Sequence, residues 1–314
     1  MARYLVTGGA GFIGSHIVDR LVADKHQVRV LDDLSSGKLD NLKGVKDRVE
    51  FVKGDIRDRK IMKQAVKDIE FILSVAAWRS VPKSMEDAYG YTDVNILGTA
   101  NLLEEAVKAK VKRVVCVSSS SVYGETTKVP MTETDPTNPL SPYAASKLVN
   151  EIYCGMFYRG FGLETVAVRY FNVFGPRQSL ENDYAVVIPK FITSLLKKQS
   201  PPVYGDGKQS RDFTYVDNVA EATIMASQAP GVGTGEVFNI ALGEEHTLLD
   251  LLEQLNKIIG TNIQPDFKPK RAGDVYKTYA DSSKAERMLG WKGKVNFAEG
   301  LRRTVEWFRA NPSQ

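Results

Sequence analysis

The sequence predicts an α/β protein that is built around a doubly wound parallel sheet and carries a smaller mixed α/β domain. Three features predict this fold: short continuous apolar runs, amphipathic segments between those runs, and a glycine-rich turn directly after the first run. Continuous apolar runs are typical of strands that helices cover on both faces. Alternation of such strands with helices indicates a parallel sheet. With 314 residues the chain is long enough to divide into two domains.

The elements of the predicted sheet follow one another over the first 240 residues. Helices are predicted at residues 61–66, at 96–109 and from just after Pro142, because proline is favoured in the first turn of a helix. The apolar runs that predict strands lie at residues 3–7, 28–32, 49–53, 71–75, 113–118, 165–170 and 237–240.

The chain changes in texture after Asn172, where glycine and proline become frequent and strand-like runs become sparse. We interpret this part as the smaller domain, interrupted where the chain returns to the sheet. The expected division is a larger domain of residues 1–171 plus 213–240 and a smaller one of residues 172–212 and 241–314. Helices of the smaller domain are predicted at residues 189–198, 248–259, 282–289 and 298–309.

Composition and charge exclude several classes of protein. The 42 Lys and Arg residues nearly balance the 38 Asp and Glu residues, which leaves a net charge of +4. A nucleic-acid-binding protein would concentrate its basic residues on one face, so no nucleic-acid partner is expected, whereas a mild positive charge suits anionic small molecules. No apolar run approaches the roughly 18 residues of a membrane span, and residues 1–6 are too short for the apolar region of a signal peptide, so we expect none. These features predict a cytoplasmic protein without membrane contact.

The cysteines and histidines predict neither a disulfide framework nor a metal site. Cys116 and Cys154 are too few for such a framework, and we expect two buried thiols in a reducing compartment. The three histidines, at positions 16, 26 and 246, lie far apart without metal-ligand spacing. A Ser-His-Asp catalytic set also has little support.

The glycine-rich turn is the strongest single signal. Gly8, Gly11 and Gly14 follow a predicted strand and open a predicted helix. Such a turn brings backbone N–H groups and a helix N-terminus against a pyrophosphate. Asp32 stands eighteen residues after Gly14, at the end of the second strand, where an acid binds the adenosine ribose hydroxyls. A carboxylate there repels a 2′-phosphate, so the pattern predicts NAD rather than NADP; the alternative is a purely structural glycine turn.

The second signal is the pair Tyr143 and Lys147. Residues four apart on a helix share one face, so the ammonium group could lower the phenol pKa and make a tyrosinate base. The spacing alone proves little, because Tyr204 and Lys208 are also four apart. That second pair spans two glycines, Gly205 and Gly207, and cannot lie on a helix.

Further short motifs extend along nearly the whole chain. They are TGGAGFIGSH from Thr7, Asp32-Asp33, Gly54-Asp55-Ile56, Val75-Ala76-Ala77, Asn95-Ile96-Leu97-Gly98-Thr99, residues 118–124, Tyr143xxxLys147 and Arg169-Tyr170-Phe171-Asn172. Their order resembles the extended short-chain dehydrogenase/reductases and, within them, the UDP-hexose 4-epimerases that act on UDP-glucose and UDP-N-acetylglucosamine. The resemblance covers residues 3 to about 307. It implies a Rossmann-type NAD-binding larger domain and a smaller domain that binds a nucleotide sugar.

The resemblance also implies roles for single residues. The catalytic trio would be Ser119, Tyr143 and Lys147, with Ser118 and Ser120 as the alternatives for the serine. No metal is implied. NAD contacts would come from Gly8, Gly11, Phe12, Ile13, Gly14, Asp32, Ser36, Gly37, Asp55, Ile56, Ala76, Ala77, Arg79, Asn95, Tyr143, Lys147 and Tyr170. Substrate contacts would come from Ser119, Ser120, Tyr143, Asn172, Val187, Arg211, Arg271, Asp274 and Thr278.

The chain departs from the family pattern at two positions. Members commonly carry a histidine where this chain has Ser74, and we expect this to affect packing rather than chemistry. Arg79 stands where many epimerases have lysine and others a small residue. Its side chain could contact either the NAD phosphates or the sugar, and the sequence leaves both open.

The predicted activity is NAD-dependent inversion of UDP-hexoses at C4 through a 4-keto intermediate. Thr278 matches the position that walls the sugar pocket near C2, and a small residue there predicts turnover of N-acetylated sugars as well as UDP-glucose and UDP-galactose. The alternatives are a UDP-glucuronate epimerase, a dehydratase, a reductase and a non-catalytic NAD-sensing protein. A dehydratase would carry an Asp-Glu pair where this chain has Ser120 and Ser121.

The resemblance further implies a homodimer that forms through helices at residues 99–109 and 147–158. Leu102, Leu103, Ile152 and Phe157 fit one apolar stripe on these helices, although they could equally pack on the sheet.

Overall fold

A computed structural model of the chain describes residues 1–126, 128–180, 187–269 and 276–312. Its centre is a parallel sheet of seven strands, which are β1 (Arg3–Thr7), β2 (Gln27–Asp32), β3 (Val49–Lys53), β4 (Phe71–Ser74), β5 (Arg113–Ser119), β6 (Glu164–Tyr170) and β11 (Thr234–Ile240). Their spatial order is β11-β6-β5-β4-β1-β2-β3. The order reverses between β1 and β4, and such a switch point leaves a crevice at the carboxyl ends of the strands.

Helices cover both faces of this sheet and fill the remaining part of the fold. A π-helical turn, Thr92–Leu97, joins the fourth helix to the fifth. The helices are α1 (Phe12–Ala23), α2 (Arg59–Ala65), α3 (Val81–Glu86), α4 (Ala88–Tyr91), α5 (Gly98–Lys108), α6 (Pro142–Phe161), α7 (Val187–Leu196), α8 (Val216–Gln228), α9 (Leu248–Ile259), α10 (Ser283–Leu289) and α11 (Phe297–Ala310).

Two apolar cores lie on opposite faces of the sheet, because successive side chains of a strand point to opposite sides. Tyr4 and Val6 of β1 are fully buried in the core beneath α1 and α8. Leu5, between them, is fully buried in the other core, beneath α2, α5 and α6. Burial of one side chain of this size stabilises the fold by about 1.5–3 kcal/mol. The alternation explains why the strands of this sheet read as continuous apolar runs.

A third core lies beneath α7, α9 and α11 and includes Phe174, Phe191, Phe213 and Leu301. Short strands surround it, in three small sheets ordered β10-β7, β12-β9-β14 and β13-β8. These strands are β7 (Val173–Phe174), β8 (Pro202–Tyr204), β9 (Ser210–Arg211), β10 (Thr214–Tyr215), β12 (His246–Thr247), β13 (Asp266–Lys268) and β14 (Lys277–Thr278). The boundaries of the two expected domains stay a prediction.

The predicted fold class is confirmed, and all seven predicted strands exist. β1 and β3 have the predicted bounds, whereas β11 begins at Thr234 instead of residue 237. The predicted helix at 96–109 begins as α-helix at Gly98, because residues 92–97 are π-helical. The short helices α3 and α4 and the two- and three-residue strands were not predicted, since such short elements leave no periodic pattern.

The stripe predicted for the subunit contact is not one surface. Leu102, Leu103 and Phe157 are buried in the core beneath α5 and α6 of the same chain. Ile152 points away from that core and is 58% exposed. For three of the four residues the alternative, packing against the sheet, therefore holds.

A buried ion pair joins α6 to the sheet. The Arg169 guanidinium on β6 contacts the Glu151 carboxylate on α6 at 2.7 Å, and both side chains are about 95% buried. Ser118 on β5 donates its hydroxyl hydrogen bond to the same carboxylate at 2.5 Å. None of the described helices is long and apolar enough to cross a membrane.

Candidate active site

A cleft of about 480 Å³ lies at the carboxyl ends of the sheet strands. One end of it is walled by the glycine turn and by the residues after β2, and the other end by β5 and the start of α6. This is the switch-point crevice in which open α/β sheets bind their ligands.

The glycine turn forms a tight cradle that no larger residue fits. Gly8 has φ +68°, and a Cβ there would lie 2.8 Å from the Ala76 backbone nitrogen. A Cβ on Gly14 would lie 2.1 Å from the Gly8 carbonyl oxygen. Gly11 donates its N–H to that same oxygen at 3.1 Å and then caps α1. The first turn of α1 thus opens onto the cleft and fits a pyrophosphate, whose negative charge suits a helix N-terminus.

Asp32 closes the outer end of this cradle. Its buried carboxylate accepts hydrogen bonds from the Ala10 and Leu34 N–H groups, both at 2.9 Å. Burial raises the pKa of Asp32, against the effect of these two hydrogen bonds. A Cβ on Gly37 would lie 2.8 Å from the carboxylate, so this glycine leaves room for Asp32 rather than for a ligand. The remaining lone pairs can accept from ribose hydroxyls, and the cradle as a whole fits a dinucleotide.

Most of the residues expected to bind the cofactor line the cleft. Two do not: Gly37 lies behind Asp32, and Asn95 is fully buried with its amide bonded to both backbone groups of Trp78. Their roles as cofactor contacts stay predictions, as do those of the lining residues. The expected cofactor residues that line the cleft are Gly8, Gly11, Phe12, Ile13, Gly14, Asp32, Ser36, Asp55, Ile56, Ala76, Ala77, Arg79, Tyr143, Lys147 and Tyr170.

The three expected catalytic side chains meet at the inner end of the cleft. Ser119 is the last residue of β5, and Tyr143 and Lys147 lie on the first turns of α6. That helix begins where the sequence indicates, because the Ser141 hydroxyl accepts from the Ala144 N–H at 3.1 Å and Pro142 follows. The Ser119 hydroxyl also accepts from the Ser121 N–H at 3.2 Å.

Burial and two neighbouring groups act on the pKa of Tyr143 in opposite directions. Burial raises the pKa of Tyr143, while contact with the Ser119 hydroxyl and the charge of Arg79 lower it. Lys147 donates to the Val117 carbonyl at 2.9 Å, and its Nζ lies 5.9 Å from the centre of the Tyr143 ring. Burial lowers the pKa of Lys147 to about 8. The expectation that Lys147 lowers the pKa of Tyr143 stays a prediction.

The residues expected to bind the substrate are divided between the cleft and its surroundings. Ser119, Ser120, Tyr143 and Asn172 line it. Val187 begins α7, and Arg211 and Thr278 are register partners in β9 and β14; these three are not among the lining residues. Arg271 and Asp274 lie outside the described residues.

Asn172 links the cleft to Thr278. Its side-chain amide donates to the Thr278 hydroxyl at 3.2 Å and to the Asp212 carbonyl at 3.0 Å. Its backbone has φ +33°, in the left-handed region, so these two contacts hold an uncommon conformation. Thr278 therefore does not line the cleft itself but contacts Asn172, which does.

Asp212 lies behind the cleft, in contact with Asn172 and Thr278, and the sequence did not predict it. Its fully buried carboxylate accepts from the Leu242 and Gly243 N–H groups at 3.1 Å and from the Ala280 N–H at 3.4 Å. Its own N–H donates to the Thr278 carbonyl at 2.8 Å. Burial raises the pKa of Asp212 to about 7. No local sequence pattern indicates this role, because the hydrogen-bond partners of Asp212 come from distant parts of the chain.

Other lining residues that the sequence reasoning missed follow directly after predicted motifs. Lys38 and Asn41 come shortly after Ser36, and Arg177 and Gln178 follow the Gly175-Pro176 turn. Turn residues after a strand of the sheet were the signal that could have found them. Within the described residues, no group of three or more His, Cys, Asp or Glu side chains is arranged to hold a metal ion.

The fold and the site define a class: a Rossmann-type α/β protein with a Ser-Tyr-Lys constellation beside a dinucleotide-sized cradle. Comparison with known proteins agrees with this class. The family model described as GDP-mannose 4,6 dehydratase matches residues 5–304. A UDP-glucose 4-epimerase of Mycolicibacterium smegmatis is 40% identical, over 99% of this chain and 100% of its own length.

Solved structures give the same result. The UDP-N-acetylglucosamine 4-epimerase of Methanobrevibacter ruminantium, in complex with UDP-N-acetylmuramic acid, is 39% identical with a TM-score of 0.94 and covers 99% of both chains. The UDP-glucose 4-epimerase of Thermus thermophilus, in complex with NAD, is 37% identical with a TM-score of 0.89 and covers 98% of this chain and 99% of its own. The chain belongs to the GDP-mannose 4,6 dehydratase family of extended short-chain dehydrogenase/reductases, so the family resemblance seen in the sequence is confirmed.

The Asp212 carboxylate generates a prediction about stability and pH. Its pKa is near 7 in the folded state and near its ordinary value of 3.8 when unfolded, so the folded state binds the extra proton between these values. The free energy of unfolding of the wild type should therefore fall from pH 4 to pH 7 through this group. Asp212→Asn removes that dependence and also leaves a backbone N–H without an acceptor, at a cost of about 1–3 kcal/mol.

Urea unfolding at pH 5 and pH 8 checks this prediction. The stability difference between wild type and Asp212→Asn should be larger at pH 5. The exposed Asp206 supplies the control variant, Asp206→Asn, for which we expect little difference at either pH. A difference for Asp212→Asn that is equal at both pH values, or larger at pH 8, would contradict the assignment.

Proposed function

We propose that the chain is an NAD-dependent epimerase that inverts C4 of UDP-hexoses through a 4-keto intermediate. The observation that carries the proposal is that a single cleft joins the glycine cradle and Asp32 at one end to Ser119, Tyr143 and Lys147 at the other. The solved relatives that bind NAD and a UDP-sugar, with nearly the same fold over the whole chain, support it.

The cradle residues would hold the cofactor. The α1 N-terminus and the backbone of Gly8 and Gly11 would bind the pyrophosphate, and Asp32 would accept from the adenosine ribose. Lys147 would bind the nicotinamide ribose, since its Nζ donates only one of its three hydrogens to the Val117 carbonyl. When bound, NAD supplies the electron acceptor for the C4–H bond and returns the same electrons to C4.

Tyr143 and Ser119 would act on the sugar. The Tyr143 phenolate takes the proton of the 4-hydroxyl as C4 is oxidised to the ketone, and Ser119 donates a hydrogen bond to the same oxygen. The keto sugar then turns over about its diphosphate link, which presents the opposite face of C4. Tyr143 returns its proton to the oxygen as C4 is reduced, so the net reaction is an isomerisation.

The alternatives have less support from the residues of the cleft. Ser120 and Ser121 occupy the positions where a dehydratase would carry its Asp-Glu pair, and serine hydroxyls do not supply that acid-base chemistry. A UDP-glucuronate epimerase would need a cation for the carboxylate where this chain has Ser179. A non-catalytic NAD sensor would have no use for the complete Ser119, Tyr143 and Lys147 trio.

The first prediction from this mechanism concerns Tyr143. Tyr143→Phe removes one hydroxyl, and with it the base, while the ring and its contacts stay. We expect kcat for C4 inversion of UDP-glucose to fall by at least about 100-fold, the usual contribution of a general base. The unfolding midpoint and the amount of bound NAD should change little. Retention of more than a few per cent of wild-type kcat would remove Tyr143 from the catalytic role.

We also propose that the enzyme accepts N-acetylated sugars, because Thr278 is small. The family resemblance places this position at the wall of the sugar pocket beside C2, and a tyrosine there, next to Asn172, would exclude an N-acetyl group. Thr278→Tyr should abolish turnover of UDP-N-acetylglucosamine while sparing UDP-galactose, as measured by kcat/KM for both substrates.

The matched control for this prediction is Thr278→Val. It removes the hydroxyl that accepts from Asn172 but stays small, so it separates the lost hydrogen bond from the added bulk. We expect the valine variant to keep both activities in their wild-type ratio. The gate assignment is wrong if wild type ignores UDP-N-acetylglucosamine or if Thr278→Tyr loses both substrates equally.

We propose a homodimer that forms through the outer side of α6. Ile152 and Met156 are one turn apart on this helix and are 58% and 40% exposed. Leu97, on the π-helical turn that packs against α6, is 56% exposed. Exposed apolar side chains that cluster on one helical face are typical of an interface between subunits.

Charged residues introduced on this face of α6 should separate the subunits. The double substitution Ile152→Arg and Met156→Arg is expected to convert a dimer into a species of 34.8 kDa in sedimentation velocity at micromolar concentration. Leu39→Arg, an equally exposed apolar position in another part of the chain, is the control and should leave the dimer intact. A wild type that sediments only at 34.8 kDa would rule the dimer out.

We place the protein in the cytoplasm. Cys116 and Cys154 are both buried and free, which suits a reducing compartment.

A further inference from the structure

Residues 176–178 form a turn after β7 that contributes Arg177 and Gln178 to the wall of the cleft. The Gln178 side chain donates to the Val173 carbonyl at 2.9 Å, which joins this turn to the strand that follows Asn172. Because Asn172 is an expected substrate contact, the turn lies on the substrate side of the cleft. The backbone of Arg177 has φ +67°, in the left-handed region that residues other than glycine rarely adopt. Such a conformation persists only where surrounding contacts hold it.

Two side chains of α1 hold the 176–178 turn, and His16 is the first. Its Nε2 donates to the Pro176 carbonyl at 3.1 Å. Its Nδ1 is hydrogen-bonded at 3.0 Å to the carboxylate of Asp217, which lies in the first turn of α8. The histidine side chain is largely buried, so these contacts are partly shielded from water. His16 therefore fixes the position of the turn relative to both α1 and α8.

The second side chain of α1 that holds the turn is Asp19. Its carboxylate accepts a hydrogen bond from the Arg177 guanidinium at 2.7 Å, and both side chains are partly buried. Neither Asp19 nor His16 is among the residues that line the cleft, whereas Arg177 is. An effect of Asp19 or His16 on a ligand in the cleft must therefore pass through the 176–178 turn.

The same helix forms part of the glycine cradle at the other side of the cleft. Phe12 and Gly14, in the first turn of α1, line the cleft. The Phe12 ring meets the His16 ring edge to face, with ring centres 6.0 Å apart. One helix thus presents its N-terminus to the proposed dinucleotide and its next turn, with His16 and Asp19, to the substrate side.

We propose that His16 and Asp19 are positioning residues that hold the 176–178 turn against the cleft and thereby raise its affinity for the sugar end of a UDP-hexose. A turn that is already held in place binds a ligand without the entropic cost of being ordered. Neither residue is catalytic, because each acts only through the Pro176 carbonyl or the Arg177 guanidinium. The identity of the ligand rests on the proposed function, whereas the hold on the turn does not.

Steady-state kinetics of the NAD-loaded enzyme with UDP-glucose test the effect on the substrate. Asp19→Asn removes the charge that holds Arg177, and His16→Phe removes both hydrogen bonds but keeps a ring. We expect each variant to raise KM about three- to tenfold, the loss expected for one hydrogen bond. Because the catalytic trio is carried by β5 and α6, kcat and the amount of bound NAD should stay close to wild type.

A double variant tests the route through Arg177. If Asp19 acts through this guanidinium, Asp19→Asn should raise KM no further in a protein that already carries Arg177→Met. Asp24→Asn is the matched control, because Asp24 pairs with Arg20 of α1 at 2.8 Å instead of with the turn, and it should leave KM unchanged. The proposal is overturned if Asp19→Asn does not raise KM, if its effect adds in full to that of Arg177→Met, or if Asp24→Asn raises KM as much.

Limited proteolysis separates this inference from the proposed function, because it needs no substrate. Trypsin cleaves after arginine, so the rate of cleavage between Arg177 and Gln178, followed by mass spectrometry, reports how firmly the turn is held. His16→Phe and Asp19→Asn should be cleaved there several-fold faster than wild type, and Asp24→Asn at the wild-type rate. An unchanged rate in the first two variants overturns the inference even if the wild type is an active epimerase. Faster cleavage, with a wild type that does not act on UDP-glucose, supports the hold on the turn and refutes the proposed function alone.

Discussion

The ion pair between Glu151 and Arg169, buried beneath the inner end of the cleft, holds together the elements that carry the chemistry. Glu151 belongs to the helix of Tyr143 and Lys147, and Arg169 belongs to the strand next to the one that ends in Ser119. The Ser118 hydroxyl donates to Glu151, and so joins the third element. Removal of one partner from such a pair leaves an unpaired buried charge and costs about 3–5 kcal/mol. A change in the relative positions of β5, β6 and α6 that separated this pair would therefore cost free energy of that size.

A second buried carboxylate does the same for the opposite wall. Asp212 receives three backbone N–H groups and lies against Thr278 and Asn172. Unlike Glu151 it has no cation among its described partners, which explains why burial raises its pKa so far. The cleft is thus built between two buried acids, one paired with arginine and the other hydrogen-bonded by backbone N–H groups. Both lie outside the cleft itself, and both fix residues that line it.

The parts of the site that the sequence predicts are those that depend on local geometry. Gly8, Gly11 and Gly14 can be recognised in the sequence, because only glycine fits a turn in which a Cβ would meet backbone atoms. Tyr143 and Lys147 can be recognised because they have helical spacing and follow a proline. The strands can be recognised as continuous apolar runs, because both of their faces are buried.

The remaining parts depend on contacts between distant residues. Asn172 and Thr278 are 106 positions apart, and Asn95 and Ser146 are 51 apart, so no local pattern connects them. The partner of Lys147 is a backbone carbonyl, which carries no sequence signal at all. Ile152 and Phe157 lie on one helix, yet one is exposed and the other buried, because the sheet covers only one side of α6.

The central claim is that C4 of the sugar is oxidised and reduced within one cleft, with the same electrons returned to it. UDP-galactose that carries deuterium at C4 tests this most directly, with the product UDP-glucose analysed by mass spectrometry and proton NMR. The account predicts that deuterium stays at C4 through many turnovers in ordinary water. Loss of the label to solvent would mean that C4 exchanges a proton instead, and would contradict the account.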